Sequence, residues 1–246
     1  MHVKICGITS KQDALHAVSA GATHIGMIFV EGSPRSINEI QTAREIGQAV
    51  GENAYMVGVF QNQTAETIAQ IAVHAKIDLV QLHGNEDPAF CRSIGLRLGK
   101  PVIKSIVIAG GINNIEVVAK GDEQDIVVSP YDELKQLVAS YGRDVAAYLL
   151  FDRAKGNKDE NWLPQAIECI AKLERDLKAP EYNLPPYFFA GGLTDKNVSE
   201  TLAQLHAAGV DVASGVERSP GQKDPALVEA FIKAAKGGSD KSRTGK

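Results

Sequence analysis

Eight short apolar runs alternate with helical patterns along this chain, and few architectures accept that arrangement. The runs cover residues 3–6, 24–30, 55–60, 79–82, 102–108, 146–151, 187–190 and 210–213. They are nearly continuous in Val, Ile, Leu and Phe, as strands of a parallel sheet covered on both faces tend to be. Helical patterns follow at about 10–20, stopping at Gly21, and at 37–50. Thr64 is placed to cap the next, with Glu66 in its first turn, and Pro88 sits where a helix accepts proline. Further helices are expected at 131–141, at 162–177, from a cap at Thr194 or Asp195 to 208, and at 225–236. Eight strand–helix units in about 235 residues predict an α/β fold, a single-domain (β/α)8 barrel over residues 1–236. No GxGxxG follows the first strand, which disfavours a dinucleotide fold. The pattern loosens between 109 and 144, where a helix near 114–120 and a short strand at 125–129 are expected. Residues 237–246 are small and charged and read as a disordered tail.

Composition excludes several classes of function. With 44% hydrophobic and 23% charged residues the chain can build a globular core. A net charge of −4 leaves no electrostatic footprint for nucleic acid or an acidic membrane. No apolar run approaches the ~18–20 residues of a membrane span, and the first residues lack the pattern of a secretory leader. Cys6, Cys91 and Cys169 are scattered and odd in number, without CxxC spacing. That argues against disulfides and zinc and for the reducing cytoplasm. No cofactor or metal is implied. With no heptad pattern and no extended apolar surface helix, monomer and homodimer both fit.

The polar residues that follow the apolar runs carry the functional argument, because barrel enzymes place their chemistry at the carboxyl ends of the strands. These are Cys6, Arg35, Gln61 or Asn62, His83, Asp152, Gly191-Gly192 and Ser214-Gly215. Cys6 is either a nucleophile or base, or a small buried residue. Arg35 offers a planar fork to a carboxylate, or sits solvated in a Ser-Pro-Arg turn. His83 ends a buried strand and could simply bond a neighbouring loop. Asp152 follows a strongly apolar run, where a carboxylate is costly unless partnered or used. Asp211 interrupts the last run and is either structural or functional. Glycines after the seventh and eighth runs suit a phosphate site, with backbone N–H groups and a helix N-terminus facing the anion; tight turns are the alternative.

Six segments in order resemble one family. KICGIT (residues 4–9), GSPRS (32–36), VGVFQN (57–62), VQLHG (80–84), AGGLTDKNV (190–198) and VDVASGVERSPGQKD (210–224) are similar to phosphoribosylanthranilate isomerase of tryptophan biosynthesis. The resemblance implies a cofactor-free Amadori rearrangement of a phosphorylated small molecule, N-(5-phosphoribosyl)anthranilate. It implies that Cys6 is the general base and Asp152 the general acid. Arg35 would contact the anthranilate carboxylate, His83 and Asp211 would line the pocket, and Gly191, Gly192, Ser214 and Gly215 would hold the phosphate. A free thiol is only a few per cent thiolate near neutral pH. The chemistry therefore leads us to expect a lowered pKa at Cys6 and a raised one at Asp152.

One segment departs from the pattern. The family usually follows its aspartate with a GGTG- or GGSG-type loop, whereas here Asp152 leads into RAKGNKDENW with the single glycine Gly156. Lys155 or Lys158 could supply charge there. Two other readings compete: a related barrel isomerase with an altered phosphosugar, and a catalytically weakened phosphosugar-binding protein. The similar histidine-pathway isomerase is expected to carry an aspartate where Cys6 stands. A binding protein would not need both an acid and a base.

Overall fold

The computed structural model of the chain describes residues 1–108, 131–178 and 182–241. Its strands close into a parallel barrel in chain order. They are β1 (His2–Cys6), β2 (His24–Ile28), β3 (Tyr55–Phe60), β4 (Leu79–Leu82), β5 (Val102–Ile108), β6 (Tyr148–Arg153), β7 (Tyr187–Phe189) and β8 (Gly209–Val212). β1 pairs with β2 on one side and β8 on the other, so the first and last strands meet at a seam. Around them lie α1 (Lys11–Ala20), α2 (Ile40–Val50), α3 (Ala65–His74), α4 (Pro88–Leu98), α5 (Tyr131–Ser140), α6 (Trp162–Asp176), α7 (Val198–Gln204) and α8 (Pro225–Lys241). A small hairpin, β9 (Glu217–Ser219) with β10 (Gln222–Lys223), precedes α8.

Strand parity divides the core in two, because successive residues point to opposite faces of a sheet. Val3, Ile5, Ile25, Met27, Leu82 and Phe151 pack in one apolar cluster with helical residues such as Ala14, Ile46, Ile94 and Ile170. The opposite parity fills the barrel: Val57, Leu79, Ile103, Leu150, Phe188 and Ala190 form a separate cluster. Lys4 and Cys6, Asp152 and Asp211 fall on this second parity. Their polar groups therefore face the barrel interior towards its carboxyl end, above the apolar plug.

Local chemistry explains most helix boundaries. Ser10 Oγ accepts from the Asp13 N–H and opens α1, and Gly21, at φ 103°, closes it in a left-handed conformation that favours glycine. Thr64 caps α3 through the Thr67 N–H. Asp87 caps α4 ahead of Pro88, which sits in the first turn.

The structure differs from the sequence expectation at several ends. α2 begins at Ile40 instead of 37, because the Ile37 N–H is committed to the Ile28 carbonyl at 2.8 Å. α7 spans only Val198–Gln204. Ahead of it Thr194 opens only a turn, its Oγ1 accepting from the Lys196 N–H at 3.3 Å and its N–H donating to Asn197 Oδ1 at 2.8 Å. At its other end His206 is drawn away by Glu174, which accepts from the His206 N–H at 2.8 Å. β6 reaches Arg153, so Asp152 lies in the strand and not after it. α8 continues to Lys241, taking in residues 237–241 of the expected tail, since two glycines weaken a helix without ending it. The helix expected at 114–120, the strand expected at 125–129 and residues 242–246 lie outside the described residues. Among the described residues, no helix is long and apolar enough to cross a membrane.

At the amino end of the barrel, His24 is buried among rings. His2, Tyr55 and Phe188 lie 5.1, 5.2 and 5.3 Å from it, centroid to centroid. Its Nδ1 is 2.8 Å from Thr23 Oγ1. Burial, aided by the charges of His2 and Lys4, lowers its pKa from the ordinary 6.5 to about 3. Below the ordinary value the unfolded chain takes up a proton that the folded chain refuses. The contribution of His24 to stability is thus complete above about pH 6.5 and falls as pH drops toward 3, by at most about 1.4 kcal/mol per pH unit. His24→Phe should flatten that slope in urea titrations between about pH 4 and pH 7. Parallel wild-type and variant curves would show that His24 does not carry it.

Candidate active site

The polar groups at the carboxyl end are built around a buried ion pair. Lys4 Nζ lies 2.9 Å from Asp211 Oδ1, with side-chain exposures of 0% and 9%. The two residues are direct partners across the β1–β8 seam. Burial works against the charge on Lys4, yet Asp211 and the neighbouring Cys6 carry its pKa above the ordinary lysine value. Cys6, 6% exposed, ends β1 beside Gly26 of β2. A Cβ on Gly26 would stand 2.9 Å from Cys6 Sγ and 3.0 Å from Lys4 Nζ. The missing side chain is the space in which thiol and ammonium meet.

Burial pushes the Cys6 thiol above its ordinary value. Lys4 opposes the shift, and the negative charge of Asp211 offsets part of what Lys4 supplies. The expectation of a lowered pKa is therefore corrected: burial outweighs the cation beside the thiol, and a carboxylate offsets part of that cation. Asp152 behaves as expected. Burial raises it, His83 opposes, Asp211 adds to the rise, and the Arg153 N–H donates to it at 2.7 Å. His83 Nε2 stands 3.6 Å from Asp152 Oδ2, each side chain being 24% exposed. Gln81 Nε2 donates to Ser105 Oγ and lies 3.1 Å from His83 Nδ1.

Arg35 does not stand solvated. Its Nε donates to Glu217 Oε1 at 2.9 Å and its Nη2 to Oε2 at 2.7 Å. Lys223 Nζ grips Glu217 from the other side at 2.7 Å. Burial alone would raise Glu217, but Arg35 and Lys223 hold its carboxyl below the usual range. Among the described residues Arg35 Nη1 has no hydrogen bond. Gly7, at φ 72°, lets the arginine cross: a Cβ there would meet Arg35 Cδ at 2.6 Å. Glu217 and Lys223 received no role in the sequence reading. Their signal was two opposite charges flanking the turn glycine Gly221, whose N–H also bonds Glu217 at 3.2 Å.

Asn62 is bracing. It takes a left-handed φ of 54°, its N–H donates to Glu86, and its Oδ1 accepts from the Asn85 N–H at 2.7 Å. Glu86 is in turn paired with buried Lys104 at 2.8 Å.

The glycine loops after β7 and β8 touch each other. A Cβ on Gly215 would fall 1.9 Å from the Leu193 carbonyl, so only glycine lets the loops close together. Gly191 and Gly192 have φ of 92° and 69°. Among the described residues their N–H groups have no acceptor. Ser214 opens a single tight turn, Ser214–Val216, and α7 starts six residues beyond Gly192. The short helical turn in the β8 loop thus begins at Ser214 and Gly215 themselves, while the N-terminus of α7 lies further from its loop. Cys6, His83, Asp152 and Asp211 converge inside the rim, with Arg35 on its β2 side and Gly191, Gly192, Ser214 and Gly215 on its β7–β8 side.

Known proteins resemble this chain in both sequence and fold. Residues 3–234 match the model of the family described as N-(5′-phosphoribosyl)anthranilate (PRA) isomerase. The N-(5′-phosphoribosyl)anthranilate isomerase of Paracoccus denitrificans is 36% identical over 233 residues, 95% of this chain and 96% of that protein. The crystal structure of phosphoribosyl anthranilate isomerase from Thermotoga maritima superposes with a TM-score of 0.77 at 30% identity, covering 96% of this chain and 99% of that one. Another solved phosphoribosyl anthranilate isomerase, at 30% identity, TM-score 0.73 and the same coverage, holds reduced 1-(o-carboxyphenylamino)-1-deoxyribulose 5-phosphate.

The ion pair at the seam makes a direct test of the framework. Lys4→Met strips Asp211 of its partner while keeping most of the aliphatic bulk. It should cost about 3–5 kcal/mol, because an uncompensated charge is left inside the barrel. Adding Asp211→Asn should restore part of that loss. Denaturant unfolding of the single and double variants reads both; a single variant as stable as wild type would remove the pair from the framework.

Proposed function

The chain belongs to the N-(5′-phosphoribosyl)anthranilate isomerase family, and from that premise we propose how its residues divide the work. The reaction is the Amadori rearrangement of N-(5′-phosphoribosyl)anthranilate to 1-(2-carboxyphenylamino)-1-deoxyribulose 5-phosphate, a step of L-tryptophan biosynthesis. Asp152 is the acid. It gives its proton to the furanose ring oxygen as the C1–O bond breaks, and the nitrogen lone pair forms a protonated imine. Cys6 is the base. Its thiolate takes the hydrogen from C2, the electron pair moves into C1=C2, and the imine nitrogen becomes an amine. The resulting enolamine tautomerises to the ketone. Every electron pair stays within the substrate, so the chemistry needs no external oxidant.

The observation that carries this reading is the placement of a thiol and a carboxyl with opposite tasks on separate strands, β1 and β6, at one rim. Acid and base act on different atoms and have to approach the sugar from different directions. A raised Asp152 suits a proton donor. Burial works against the Cys6 thiolate, while the Lys4 ammonium at the thiol favours the charged form that takes the C2 hydrogen. His83, with Nε2 at 3.6 Å from Asp152, orients the acid. Arg35, already steadied by Glu217, has Nη1 left for the anthranilate carboxylate. The backbone donors of Gly191 and Gly192, with Ser214 and Gly215, take the phosphate, and Asp211 holds Lys4 beside the base. Three unpaired cysteines suit a reducing compartment, and we place the protein in the cytoplasm.

Cys6→Ala and Asp152→Asn should each lower kcat by roughly 10²–10⁴-fold, the usual size of a general acid or base contribution. Binding of the phosphorylated product should change little. A fluorescence assay of freshly made substrate measures the first, and product inhibition the second. Wild type that binds product without turning substrate over would replace the isomerase with a binding protein.

A further inference from the structure

The residue after the proposed acid faces the other way. Since Asp152 points into the barrel, Arg153 points outward, between the 154–161 loop and the turn after β7. Its guanidinium lies over the Trp162 ring at 5.4 Å. Nη2 donates to the Asp159 carbonyl at 2.5 Å and to Asn157 Oδ1 at 3.4 Å. Nη1 stands 3.7 Å from the position a Cβ on Gly192 would take. The buried Nε has no partner. Gly191 is pressed against the same residue, since a Cβ on it would meet Arg153 Cβ at 2.8 Å and the Trp162 ring at 2.5 Å.

This corner holds donors without acceptors. Nε and Nη1 of Arg153 and the N–H groups of Gly191 and Gly192 have none among the described residues. Buried and half-buried donors normally find partners. Four donors and a full positive charge gathered around one turn are complementary to an anion with several acceptor oxygens. The adjoining loop does not neutralise that charge, because Lys155 and Lys158 cancel Asp159 and Glu160. We propose that Arg153 is a further ligand of the substrate phosphate, its Nη1 joining the backbone donors of Gly191 and Gly192. The inference rests on the phosphate placement given above and adds a side chain to it. Stacking on Trp162 and the tie to Asp159 hold the planar fork in place, which limits the rotamer freedom it loses on binding.

The test is the affinity for inorganic phosphate, by calorimetry, of wild type, Arg153→Gln and Arg153→Lys, alongside KM and kcat for N-(5′-phosphoribosyl)anthranilate. Loss of a charge-assisted hydrogen bond corresponds to about a 10- to 100-fold weakening. The glutamine variant should weaken phosphate and raise KM by the same factor, with kcat nearly unchanged, and lysine should recover much of both. Unchanged phosphate affinity in the glutamine variant overturns the proposal, and so does a fall confined to kcat, which would mark Arg153 as a brace for the 154–161 loop. Absent wild-type turnover counts against the isomerase reading alone, because phosphate affinity still decides the role of Arg153.

Discussion

A lysine with no exposed surface faces an aspartate across the seam between the first and last strands, and much of the site depends on that pair. Neither charge is tolerable alone inside a barrel. Together they close the ring of strands electrostatically where hydrogen bonding closes it geometrically. The same ammonium also touches the thiol two residues further along β1, so the contact that stabilises the seam sets the environment of the base. The result is a thiol beside a cation that already has a carboxylate partner.

Absent side chains do as much shaping as present ones. Gly26 leaves the space in which Lys4 and Cys6 meet. Gly7 allows Arg35 to lie across the end of β1, and Gly215 allows the β8 loop to seat on the Leu193 carbonyl. Each sits where one segment approaches another more closely than a Cβ permits, which is the usual demand for glycine at a site. The Arg35–Glu217–Lys223 chain then ties the β2 loop to the β9–β10 hairpin, so the proposed carboxylate donor is oriented before any ligand binds.

The barrel was legible because buried parallel strands leave an unmistakable apolar signature and because caps such as Ser10, Thr64 and Pro88 act locally. The residues gathered at the rim were legible for the same reason: position after a strand is a property of the chain. What sequence could not supply was depth and long-range partnership. Cys6 was expected to be acidic, but burial in the closed barrel raises it, and Asp211, far along the chain, offsets part of what Lys4 supplies. Arg35 was open between a solvated turn and a substrate fork, and it is held by Glu217, 182 residues away. The short α7 escaped because Asn197 and Glu174 capture the flanks of a segment whose pattern alone suits a longer helix. One signal was present and unused: Lys4 and Lys104 interrupt apolar strands, where a charge requires a partner.

The separation of Lys4 from Asp211 also orders the birth of the molecule. The two are 207 residues apart. On a ribosome adding ~5–20 residues per second, roughly 10–40 s pass between their syntheses. During that interval β1 carries an ammonium with no counter-ion and a seam with no closing strand. The nascent chain therefore cannot settle β1 into its final place early, and contacts of such length are slow to form. Completion of the last strand is the event that neutralises the first, so competence for chemistry waits on the arrival of β8.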